Sequence, residues 1–171
     1  SGSTTLDLHV TVPNVSGKVL QPAPSTSGVA NVNVSVRAVD TPVFFNAQTD
    51  NSGNYHLTVP AGSYVISADA PSSSSFSRSL DAELTVTSSG NVTKDLRLTT
   101  PNVTGVVVES DGSTPAVGAD VQLHNDATAF YTGTRTDEDG QFRLYAPPGT
   151  YVIQAGPPSD STDAGSDPQT I

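Results

Sequence analysis

The chain has no cysteine and no tryptophan, and its only lysines are Lys18 and Lys94. Without cysteine, no disulfide can brace a small domain and no thiolate is available for chemistry or metal binding. No apolar run approaches the length of a membrane span or of a signal peptide, so no membrane insertion is expected, and a leader is expected to have been removed. Basic residues are scarce, and the net charge is −10. Nucleic acid and anionic membrane both require a basic face, so neither is expected as a partner. The acidity is read as a solubility device.

Catalytic patterns are missing too. His9, His56 and His124 fall on three separate expected strands at no metal-like spacing. There is no G-x-S-x-G, no H-E-x-x-H and no phosphate-cradling glycine loop. The expectation is a chain with no catalytic residue, no metal and no cofactor.

What the chain does have is repetition. Residues 49–68, TDNSGNYHLTVPAGSYVISA, recur 87 positions later at 136–155 as TDEDGQFRLYAPPGTYVIQA. PNVSG at 13–17 recurs 88 positions later as PNVTG at 101–105. Two markers with nearly one period define tandem copies of a single unit. Each copy reads as a β meander. Asp50 to Gly53 and Asp137 to Gly140 have the order of a tight turn, in which Asp accepts backbone hydrogen bonds and Gly takes positive φ. Alternating residues 55–59 and 142–145 read as half-buried strands. Pro60-Ala61-Gly62 and Pro147-Pro148-Gly149 then turn the chain into 64–68 and 151–155. Asp137, Glu138 and Asp139 also suit calcium, but no ligand glutamate follows at the required place and the first copy carries Asn51 and Ser52 instead. The turn reading is preferred.

These residues carry a resemblance. A V-x-G opening strand, a second strand near G-A-x-V, T-D-x-x-G-x-Y/F and P-x-G-x-Y-x-I resemble the carboxypeptidase-regulatory-like and Cna-B-like group of transthyretin-type β-sandwiches. In copy one the pattern rests on Val15, Gly17, Ala30, Val32, Thr49, Asp50, Gly53, Tyr55, Pro60, Gly62, Tyr64 and Ile66. In copy two it rests on Val103, Gly105, Gly118, Ala119, Val121, Thr136, Asp137, Gly140, Phe142, Pro148, Gly149, Tyr151 and Ile153. The resemblance implies an all-β fold of tandem seven-stranded transthyretin/Ig-like β-sandwiches, the second incomplete at its end. Such modules are accessories in many secreted proteins, so the fold says little about function. The Cna-B side of the likeness raises an internal Lys–Asn isopeptide bond. Copy two has no lysine, and the meander of copy one offers no glutamate where the family places it, so none is expected.

The expected organisation is an extra strand at 1–12, repeat one at 13–100, repeat two at 101–156 without its final strands, and an acidic Pro/Ser/Asp-rich tail at 157–171. In TTLDLHVTV, residues 4–12, Leu6, Leu8, Val10 and Val12 share one face. The segment is similar to KDLRLTT at 94–100, which overlaps the expected closing strand of repeat one, Val92 to Leu98. An open sandwich leaves backbone groups unpaired and invites strand addition. Residues 4–12 of one chain therefore match the gap in another, a contact that propagates head to tail as a filament. The simpler readings are an array cut out of phase with its domains, or a segment folded back on repeat one.

The function expected is a non-catalytic extracellular structural module, a cell-surface stalk or filament subunit. Its partners would be other copies of itself or neighbouring modules of a longer chain. The alternative is an accessory module that binds a polysaccharide or protein for a larger secreted enzyme or adhesin, with Phe44, Phe45, Phe130 and Tyr131 as the available aromatic surfaces. Asn14, Asn33, Asn91 and Asn102 each open an N-x-S/T sequence and are glycosylation candidates.

Overall fold

The computed structural model describes residues 5, 12–71, 74–158, 161 and 164–171. Among them there is no helix, and the strands fall into two tandem sandwiches. Repeat one contains β1 (Val15–Leu20), β2 (Asn33–Ala38), β3 (Phe44–Gln48), β4 (Asn54–Leu57), β5 (Gly62–Asp69), β6 (Ala82–Val86), β7 (Val92–Thr93) and β8 (Leu96–Arg97). One sheet runs β3-β2-β5-β6, and the other has β1 between β4 and the pair β7 and β8. The alternation of these sequences sets the inward face. Val34 and Val36 of β2 and Ile66 and Ala68 of β5 meet Val15, Val19, Tyr55 and Leu57 across the core, with Leu96 and Leu98 closing it.

The closing strand, expected as one piece, is split. β7 and β8 both run parallel to β1 and keep one register, Val15 opposite Val92 and Val19 opposite Leu96. In an unbroken parallel ladder the Lys18 N–H would meet the Lys94 carbonyl. Instead the Lys18 N–H donates to the Asp95 carboxylate at 2.8 Å, and the buried Tyr55 hydroxyl donates to the Lys94 carbonyl. Burial of that phenol raises its pKa, with the Asp95 charge adding to the shift.

Repeat two follows the same path with β9 (Val103–Val106), β10 (Asp120–Asn125), β11 (Phe130–Arg135), β12 (Gln141–Leu144), β13 (Val152–Gly156) and β14 (Gln169–Thr170). Its sheets are β11-β10-β13-β14 and β12-β9. The stretch from 157 onward, expected as tail, is therefore not tail throughout. Ser166 receives the Ala155 N–H on its hydroxyl at 2.9 Å and returns its own N–H to the Ala155 carbonyl at 2.8 Å. Ser79 makes the same pair of bonds with Ala68, both at 2.8 Å, 87 positions earlier. β14 then pairs with β13 as β6 pairs with β5. It is only two residues long, and pairing with β13 sets its place.

Equivalent side chains hold both copies. Buried Thr49 accepts the Val32 N–H at 2.9 Å and donates to the Val29 carbonyl at 2.8 Å. Thr136 repeats this with Ala119 and Ala116. Asp50 accepts the N–H groups of Ser52 and Asn54, and Asp137 those of Asp139 and Gln141. These bonds depress both carboxyl pKa values, led by the Asn54 side chain at Asp50 and by Arg143 at Asp137. Gly53 and Gly140 close the turns at φ of 83° and 68°.

Candidate assembly interface

The two repeats differ most at the first strand. In repeat one, both edges of β1 are occupied, by β4 and by β7 and β8. In repeat two, among the described residues, β9 pairs with β12 alone. Among the described residues, the side of β9 that answers to β7 and β8 has no strand partner, and its core flank is thin. Among the described residues, the core cluster of repeat one has fifteen buried apolar residues and that of repeat two has five. Val15, Val19 and Tyr55 are fully buried, whereas their counterparts Val103, Val107 and Phe142 are only half-buried. Among the described residues, repeat two has nothing in the places of Leu96 and Leu98, whose burial is worth roughly 1.5–3 kcal/mol each. Val106 of β9 and Val108 just beyond it are exposed.

Close approach on this side demands glycine. A Cβ at Gly17 would run into the Lys94 carbonyl oxygen, backbone that cannot step aside. A Cβ at Gly105 would meet only the Phe142 ring, at 2.6 Å. Repeat two thus keeps the glycine that a closing strand needs where the described residues supply no strand.

Of the residues expected to form a complementing strand, Leu6, Leu8 and Val10 lie outside the described residues, and Val12 is 85% exposed. The sequon asparagines divide. Asn14 clamps Val59, donating to its carbonyl at 2.7 Å and accepting its N–H at 2.9 Å. Asn102 does the same to Ala146 at 2.8 and 2.9 Å. Any glycan on Nδ2 would compete with these donor bonds. Asn33 and Asn91 are exposed. Phe45 packs edge-on against Tyr64 and Phe130 against Tyr151, while Phe44 and Tyr131 are exposed. His56 is exposed, His124 lies 3.8 Å from Asp126, and His9 lies outside the described residues. Among the described residues no three His, Cys, Asp or Glu side chains converge as metal ligands, and no helix is long and apolar enough to cross a membrane.

Two β-sandwiches in tandem, each opened by a V-x-G strand and turned by T-D-x-x-G, define a class of modular repeat. The chain belongs to the carboxypeptidase regulatory-like domain family, which matches at 14–99 and again at 102–167. No curated protein matches it. Among solved structures it is similar to the Bacillus anthracis TIE protein (TM-score 0.39, 17% identity, 91% of this chain and 30% of that one). It is also similar to a Streptococcal ancillary pilin (0.38, 17%, 92% and 58%). A third is a DUF3823 family protein from Bacteroides ovatus (0.40, 14%, 92% and 97%). The chain spans less than two thirds of the length of the first two.

Proposed function

We propose that this is a non-catalytic structural module of an extracellular or cell-surface assembly, in which the open side of repeat two is filled by residues 4–12 of a neighbouring copy. The observation that carries the reading is the pairing of β7 and β8 with β1, set beside a β9 whose equivalent side has no partner among the described residues. Transferring the repeat-one register by 88 positions puts Leu8 opposite Val107, as Leu96 stands opposite Val19. Leu8 and Val10 take the core positions of Leu96 and Leu98, and Asp7 takes the place of Asp95, accepting the Val106 N–H. Leu6 and Val12 correspond to half-buried Lys94 and exposed Thr100, so they add less. The interface is head to tail and does not close on itself, which makes a stalk or filament. Strand addition satisfies backbone groups that otherwise stay unpaired and buries two aliphatic side chains at once.

A synthetic TTLDLHVTV peptide added to a chain that begins at residue 13 tests this. The expected result is saturable binding that raises the melting temperature and protects β9 amides from exchange. A peptide with Leu8→Asp and Val10→Asp should do neither. Equal effects of the two peptides, or none from the first, contradict the reading.

A further inference from the structure

A second feature owes nothing to the open strand. Where the repeats meet, a groove of about 780 Å³ runs between the end of β5 with Ala70, Pro71, Ser74 and Phe76 to Arg78 on one side and β10 to β12 on the other. A smaller hollow of about 320 Å³ continues it, and the two share Arg78 and Tyr131. The lining is mixed, with apolar Pro71, Phe76 and Tyr131 beside Gln122, Gln141 and charged side chains. Three of the seven basic residues of this acidic chain line the larger hollow: Arg78, Arg135 and Arg143.

Each arginine is already matched by a carboxylate. Arg78 lies 3.3 Å from Asp69 and 3.0 Å from Asp81, Arg135 lies 3.0 Å from Asp120, and Arg143 lies 2.9 Å from Asp137. An anion entering here would have to compete with these carboxylates against a net charge of −10. Compensated pairs suit a neutral ligand that both donates and accepts hydrogen bonds, as vicinal hydroxyls do. Gln122 and Gln141 on the same wall supply planar amides, and the Tyr131 ring, 56% exposed, offers a flat apolar face beside them. Ser77 is among the lining residues, and its buried hydroxyl has no hydrogen-bond partner among the described residues. A buried orphan of this kind calls for a partner. Repeat interfaces are a common location for such clefts.

We propose that the inter-repeat groove binds a neutral oligosaccharide, laid along both hollows and stacked on Tyr131. The two hollows favour a chain of several sugars over one. This site does not involve the open side of β9, so it stands or falls separately from strand complementation.

The test is calorimetric titration of the full chain with cellohexaose, laminarihexaose, mannohexaose and chitohexaose, with polygalacturonate as the anionic arm. The expected result is binding of at least one neutral hexamer, weakened at least about tenfold by Tyr131→Ala or Gln122→Ala and retained in Tyr131→Phe. Both altered positions are off the core, so folding is not at stake. Binding of polygalacturonate alone overturns the proposal. So does the absence of heat with every neutral hexamer, or neutral binding that both alanine variants leave unchanged.

Discussion

Gly105→Ala is expected to abolish self-association of this chain while leaving repeat two folded. In the free chain the new methyl meets only the edge of the half-buried Phe142 ring, which stands beside the open flank and can turn away. The cost to stability should be roughly 1 kcal/mol, at the low end for overpacking. Once a complementing strand is seated, the geometry is that of repeat one. There the carbonyl of Lys94, which aligns with Leu6 of the incoming segment, occupies the space beside the glycine. Backbone cannot rotate out of the way, so the strand cannot close. Gel filtration with light scattering should return monomer for this variant, and hydrogen exchange should find β10 and β13 as protected as before. Polymers that persist in Gly105→Ala would mean that association does not use this side of β9.

Gly17→Ala, the same change in repeat one, should act on folding instead. Its closing strand is already in place, and the methyl would collide with the Lys94 carbonyl and crowd the Tyr55 ring at 2.9 Å. Tyr55 is buried and tied to that carbonyl, so neither neighbour can yield without opening the sheet. A loss of about 3 kcal/mol or more is expected. In urea this lowers the midpoint of repeat one by roughly 2 M at the usual slope for a small domain. The readout is exchange of the Val34, Val36 and Ile66 amides against urea. A midpoint within experimental scatter of the parent would show that β7 and β8 are not held against β1 as described.

Much of this architecture was legible in the residues. The turn role of Asp50 and Asp137 followed from Asp-to-Gly spacing, because the chemistry is local: a carboxylate and the N–H groups two and four residues on. The core faces followed from alternation. What escaped were features made by partners distant in sequence. Thr49 and Thr136 carry no hydropathy signal, and only their recurrence at equivalent positions hinted that they pin the loop before β2 and β10. Asn14 and Asn102 read as sequons because the clamp on Val59 and Ala146 exists only after some forty residues of chain have folded back.

Composition misled at the end of the chain. Pro, Ser, Asp and Gly around 157–168 read as tail, yet Ser166 and β14 hold to β13 through backbone. The 87-residue spacing from Ser79 to Ser166 was the available signal, and it outranks propensity because pairing is dictated by the neighbour. The groove between the repeats had no sequence signature. Its arginines and Tyr131 are scattered over residues 78–143, and only the placement of the two sandwiches gathers them.

Strand complementation makes one demand above all: residues 4–12 must be what joins one chain to the next. The most direct measurement is the mass in solution, by light scattering after gel filtration, of the full chain and of the same chain without residues 1–12. The account predicts large polymers that fall to monomer on truncation and are capped at short lengths by added TTLDLHVTV peptide. Monomer in both cases, or polymers that survive the truncation, would contradict it.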